Sequence, residues 1–255
     1  MEYRKNKVLK PQKIYSRDPA RIAESAARFG VIQIIPPPAN TADFIHFLSS
    51  LGSLMFTDGE IPVAQFPQLN IVTNVNRKTK PRSVFHSDTS YVAQPPSISA
   101  LIAIEVPTVG GATLFTNQYT ALEALPSKLR SKLIGAEVLH AATDSPDSIS
   151  MWHPLIRRNP VTNRDSLFLT SRARCRLLRL ADGTDRTDLL DQLYNTSLQC
   201  APLLKHDWSR GDVLLWDNRC TLHAADHSAV EGPRTLFRGL IRGERPVAAS
   251  EQGSE

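Results

Sequence analysis

From Leu69 onward the chain is a succession of short apolar, β-branched runs, each closed by turn-forming residues. That rhythm limits the architecture more than any other feature of the sequence. The runs at 69–75, 97–106, 136–142, 155–158, 166–170, 212–216 and 235–241 have the length of strands and are bounded by Gly, Pro, Asn, Asp or Ser. Helical patterns do not alternate with them as βαβ units would require, so the residues point to a sandwich or a jelly roll. Helices are predicted mainly at the front. Asp18-Pro19 supplies an N-cap and a first-turn proline for a helix ending at Gly30, and 41–52 places Phe44, Phe47, Leu48 and Leu51 on one face. The apolar run 31–35, closed by three prolines, reads as a buried strand. Residues 57–68 read as a loop, and 184–198 as an inserted helix carrying Leu189, Leu190, Leu193 and Leu198. The expected fold is mainly β with flanking helices.

A length of 255 residues suits one domain spanning 1–255, and 41% hydrophobic with 22% charged residues is ordinary for a globular chain. No apolar run approaches the roughly 20 residues that cross a bilayer, so no membrane role is expected. Met1 is followed by charge and Pro11 without an apolar h-region, which makes a cytoplasmic location the expectation. Cys175, Cys200 and Cys220 are far apart and odd in number, which fits a reducing compartment better than a disulfide framework or thiolate zinc. The net charge is +5, and five basic residues (Arg4, Lys5, Lys7, Lys10, Lys13) crowd the N-terminus. Without aromatic–basic interleaving this reads as a solvated basic segment over 1–15, and nucleic-acid binding is not favoured. Residues 247–255 are expected to form a frayed tail.

His86-Ser87-Asp88 is the first pattern with chemical content. On a strand, residues i and i+2 share a face, so an imidazole and a carboxylate at this spacing can grip one metal ion. Alone it is weak, since a His and an Asp bonded to each other or to water on a strand edge would read the same way. Further along come Trp216-Asp217-Asn218-Arg219, His223, and Arg234 eleven residues after His223.

The surrounding text carries a resemblance. It comprises Phe85-His86-Ser87-Asp88-Thr89-Ser90-Tyr91, Pro95-Pro96, Gly110-Gly111-Ala112-Thr113-Leu114-Phe115, His153-Pro154-Leu155-Ile156-Arg157, Gly211-Asp212-Val213-Leu214-Leu215-Trp216-Asp217-Asn218-Arg219 and Gly232-Pro233-Arg234. In this order, from about residue 69 to 243, it resembles the taurine dioxygenase-like (TauD/TfdA) family of iron(II)/2-oxoglutarate oxygenases. The resemblance implies a double-stranded β-helix (jelly roll) and three requirements: Fe(2+), 2-oxoglutarate as co-substrate, and O2. It implies a triad of His86, Asp88 and His223 on the metal, with three positions left open. His227 is the rival to His223, and the family's eleven-residue gap to Arg234 selects His223. Arg234 matches the arginine that grips the far carboxylate of 2-oxoglutarate, a task suited to a guanidinium fork, and Thr113 matches the hydroxyl that assists it. A strand arginine at the surface and a threonine packed by its methyl are the bland alternatives. His46, His140, His153 and His206 are read as core or surface residues. Halogenating relatives lack the metal carboxylate, so Asp88 argues against halogenation and leaves hydroxylation, desaturation and oxidative cleavage open.

On the substrate side the resemblance thins. Arg238 lies four residues after Arg234, on the same face of a predicted strand, and matches the sulfonate-binding arginine of taurine dioxygenase; a structural role is the alternative. The histidine expected before the metal motif is missing from 56–85, and Arg82 replaces an expected asparagine, so taurine is not the expected substrate. Arg82, Asn74 and Tyr91 are further candidates for the substrate side, with surface placement as the alternative. The expected partner is a small, anionic molecule such as an amino-acid derivative in secondary metabolism. A carrier-bound or macromolecular substrate and a lapsed jelly-roll binding module stay open, as does assembly into a homo-oligomer.

Overall fold

The computed structural model describes residues 8–76 and 83–250; Arg82 thus lies outside the described residues. Two sheets pack face to face. The larger has eight strands, ordered Gln12–Ile14, Val31–Ile34, Val213–Asp217, Pro96–Glu105, Thr235–Arg242, Phe66–Thr73 and Pro62–Val63, with Leu54–Met55 also paired to Thr235–Arg242. The smaller has Thr113–Asn117 between Leu203–His206 and Thr221–Ala225, antiparallel to both. Together they make the double-stranded β-helix.

The pleat explains why Pro96–Glu105 reads as an unbroken apolar run rather than an alternating one. Ile98, Ala100 and Ile102 face one way, onto Ile22, Ala26, Phe44, Phe47 and Leu48 of the two front helices. Leu101 and Ala103 face the other way, onto Phe115 and Trp208 on the side of the smaller sheet. A strand covered on both faces has no polar face to display. The helices Pro19–Phe29 and Thr41–Leu51 begin at Asp18 and Asn40, whose side chains accept from the backbone N–H of Arg21 and Asp43. Gly239 lets Thr41–Leu51 lie close to the sheet, because a Cβ there would overlap Leu48 Cδ1. Two three-stranded sheets and the helix Leu190–Gln199 flank this core.

Several local expectations are corrected. The basic segment is not wholly a solvated tail: Gln12–Ile14 pairs in parallel with Val31–Ile34, its Lys13 exposed as suits an edge strand. The expected frayed tail contains Val247–Ala248, paired with Ile156–Arg158. The loop expected at 57–68 contains Pro62–Val63 and the start of Phe66–Thr73. The inserted helix is shorter than expected, with a 3-10 turn at Thr187–Leu189 before Leu190–Gln199. No helix among the described residues is long and apolar enough to cross a membrane.

Candidate active site

His86 and His223 are neighbours through their backbones. Each N–H donates to the other's carbonyl at 3.0 Å, and the rings lie side by side with centroids 4.3 Å apart. His223 is the middle residue of Thr221–Ala225, whereas His86 makes only this isolated bridge before the chain turns. Asp88 sits in that turn, next to Thr89 at φ 43°. The His-x-Asp pair therefore converges through a turn and not, as the sequence suggests, through the alternation of a regular strand. Asp88 Oδ1 is 3.9 Å from His86 Nε2, and Oδ2 is 3.6 Å from His223 Nε2. One donor atom from each residue falls within 4.8 Å of the others, a spacing that fits one divalent cation held from one side.

The protonation states suit such an ion. The Val84 carbonyl lies 2.9 Å from His86 Nδ1 and can only accept, so the proton sits on Nδ1 and the lone pair on Nε2. Burial lowers the His223 pKa to about 3 against the raising pull of Asp88, which keeps its ring neutral. That ring packs on Trp216, centroids 4.6 Å apart. Burial alone would raise the Asp88 carboxyl. The positive charge of Arg238, foremost, and the Ser99 hydroxyl outweigh it and hold the group well below the usual carboxylate range.

These three residues share a cavity of about 650 Å³ with Arg234 and Thr113. Arg234 is buried; Nε donates to the Gly111 carbonyl at 2.7 Å, Nη2 to Thr113 Oγ1 at 3.3 Å, and Nη1 has no partner. Burial lowers its pKa to about 10, so it stays cationic at neutral pH. A buried guanidinium with one unused nitrogen is suited to a carboxylate that reaches it from the cavity. Thr113 Oγ1 accepts from Arg234 and from Trp208 Nε1 at 3.0 Å, which leaves its own hydrogen for a further acceptor. Gly111 is required here: it has φ 75°, and a Cβ would come within 3.0 Å of Arg234 Cδ.

The other candidates divide. Arg238 and Tyr91 line the cavity. Arg238 is already engaged, with Nη1 2.7 Å from Asp88 Oδ1 and Nη2 3.5 Å from Glu60. Burial, then the negative charge of Asp58, raises the Tyr91 pKa. Asn74 does not line this cavity: its amide donates to the Gly232 carbonyl and accepts from the Arg234 N–H, so it braces the Arg234 segment. His227 lines a separate, smaller cavity with Asn74. Sequence reasoning passed over Trp208, Glu60, Ser99 and Asn218. Ser99 left a trace, as one of two serines in a mostly apolar run, and Asn218 stands in the quoted motif without a role.

The chain is similar to known proteins over most of its length. The sequence model of the taurine catabolism dioxygenase TauD, TfdA family matches residues 7–240. The chain belongs to that family. Alpha-ketoglutarate-dependent sulfonate dioxygenase of Saccharomyces cerevisiae is 32% identical over 181 residues, covering 64% of this chain and 43% of the relative. Pentalenolactone F synthase of Streptomyces avermitilis is 31% identical over 167 residues, covering 55% of this chain and 54% of the relative. The chain thus spans about half the length of the curated relatives it matches. A crystal structure of a taurine dioxygenase from Burkholderia xenovorans superposes with TM-score 0.76 at 24% identity, covering 97% of this chain and 88% of the other, which shows the shared fold.

Proposed function

We propose that this chain is an iron(II)- and 2-oxoglutarate-dependent dioxygenase that oxidises a small, anion-bearing metabolite by hydroxylation or desaturation. The observation that carries the reading is the meeting, in one cavity, of the His86–Asp88–His223 cluster and a buried Arg234 with an unused guanidinium nitrogen. His86, Asp88 and His223 would hold the metal, which with 2-oxoglutarate and O2 supplies the oxidation of a substrate C–H bond. Arg234 and Thr113 would bind the far carboxylate of 2-oxoglutarate, with the Gly111 carbonyl fixing the plane of the guanidinium. Leu101, Val72 and Trp216 line the same cavity and give it an apolar wall. On the substrate side, Arg238 would meet the anionic group, with Tyr91 beside it. Relatives named for a sulfonate and for pentalenolactone support a small-molecule substrate.

The test is anaerobic titration with iron(II) and 2-oxoglutarate, followed through the visible metal-to-ligand charge-transfer band. The band should form at one iron per chain, vanish in His86→Ala and His223→Ala, and persist in His227→Ala. Arg234→Ala should weaken 2-oxoglutarate by roughly thirty-fold or more, because a charge-assisted contact to a desolvated carboxylate contributes about 2–4 kcal/mol. Thr113→Ala should cost about 1 kcal/mol. Undiminished 2-oxoglutarate affinity in Arg234→Ala would sink the assignment. Succinate release stimulated by one compound of a metabolite panel would identify the substrate class.

A further inference from the structure

Asp88 is oriented by a chain of buried hydrogen bonds that starts in the turn leading to His223. Ser99 Oγ donates to Asp88 Oδ2 at 2.7 Å, and Asn218 Nδ2 donates to Ser99 Oγ at 2.8 Å. Asp88, Ser99 and Asn218 are all buried, Ser99 completely. Ser99 lies in Pro96–Glu105 at the centre of the larger sheet, paired with Trp216 on one side and Leu240 on the other, so its Cβ has little freedom. Asn218 is fixed in turn by its backbone N–H to the Ser97 carbonyl at 2.9 Å.

The direction of the chain follows from what each group can do. A serine hydroxyl has one hydrogen. Because the Asn218 amide donates to the Ser99 oxygen, that hydrogen is left to point at Asp88, an ionised carboxylate that can only accept. Turning the amide over would aim the hydroxyl at Asn218 Oδ1, strip the carboxylate of this donor and leave two buried N–H groups unmatched. The orientation present leaves Asn218 Oδ1 and one amide hydrogen without a partner, but keeps the Ser99 hydrogen on the carboxylate.

We infer that Ser99 and Asn218 are positioning residues for the metal carboxylate, holding Asp88 Oδ2 so that the group keeps the rotamer that faces both imidazoles. The inference rests on the reading of Asp88 as a metal ligand. Arg238 also touches Asp88, but through a long side chain shared with Glu60, whereas Ser99 is built into the sheet. The Asn218 turn, Asp217 to Cys220, leads directly into Thr221–Ala225, so one turn sets both the carboxylate and His223.

The experiment measures iron(II) affinity and the charge-transfer band with 2-oxoglutarate in Ser99→Ala, Ser99→Thr and Asn218→Ala, beside melting of the metal-free proteins. Changes of this kind around a metal ligand cost 10–100-fold in affinity. Ser99→Ala should therefore weaken iron by about tenfold or more and shift the band. Ser99→Thr, which keeps the hydroxyl, should recover most of the loss, and Asn218→Ala should fall between. Wild-type affinity and band in Ser99→Ala would overturn the inference, as would a folded Ser99→Thr that recovers nothing. A wild-type protein that binds no iron would remove the metal reading itself, and this inference with it.

Discussion

Arg238 is the residue whose environment the structure changes most. The sequence offers it as an anchor for a substrate anion, yet its guanidinium already lies 2.7 Å from Asp88 and 3.5 Å from Glu60. An anion entering here must share that cation with two carboxylates, so a single Arg238 substitution acts on two sites. Arg238→Gln should raise the KM for the prime substrate and uncouple the reaction, with succinate formed and little product. The 2-oxoglutarate affinity should stay unchanged, because that contact belongs to Arg234. Arg238→Lys should recover part of the loss, since an ammonium keeps the charge without the fork. A role confined to bracing Asp88 gives a different pattern, in which iron affinity falls and the KM does not. A folded Arg238→Gln protein with wild-type KM and coupling would remove Arg238 from the substrate site.

Among the elements, the tight approach of Thr41–Leu51 to the sheet at Gly239 is open to a direct test. Gly239→Ala places a methyl against Leu48 and Leu69, both fully buried, and overpacking of this kind costs about 1–3 kcal/mol. Leu48→Val in the same chain should return part of that loss, and additive melting shifts for the two changes would show that they do not touch. Elements with a strong local pattern were legible in the sequence: the two capped front helices, the apolar run of Pro96–Glu105, and Thr235–Arg242. The strands left unread are short and owe their state to partners far away in sequence. Thr221–Ala225 is five residues with a histidine at its centre, and Thr113–Asn117 across from it makes it a strand. Gln12–Ile14 carries a lysine and a glutamine, and pairing with Val31–Ile34 decides it. In the candidate site, His86, Asp88, His223, Thr113 and Arg234 were legible through the family resemblance that their motifs carry. Asn218 and Trp208 were not, because their hydrogen bonds to Ser99 and Thr113 join residues 119 and 95 positions apart and leave no local pattern; Ser99 showed only as a serine in an apolar run.

At the scale of the whole molecule, several ionisable groups are buried in the state that suits neutral pH. His140 and His153 stand out, packed with Phe168 at centroid distances of 4.8 and 5.4 Å. Burial lowers their pKa values to about 3 and about 4. In the unfolded chain both return to about 6.5. The sign follows: above that pH neither state binds the extra protons, and as pH falls below it the unfolded chain takes them up while the folded protein does not. Stability is therefore lost from about pH 6.5 downward and levels off only near the folded values. Between pH 7 and 5.5 the two residues together should cost about 2–3 kcal/mol. The low-pH carboxylate effect of Glu244, whose pKa is lowered with the help of Arg219 against the opposing effect of burial, begins below this window. Metal-free wild type and His140→Phe, melted at both pH values, isolate one of the two, since contributions of the metal ligands are common to both proteins. The variant should lose about 1 kcal/mol less than wild type over that interval. Equal losses would mean that His140 accepts a proton in the folded protein, and that its cluster opens to water without unfolding.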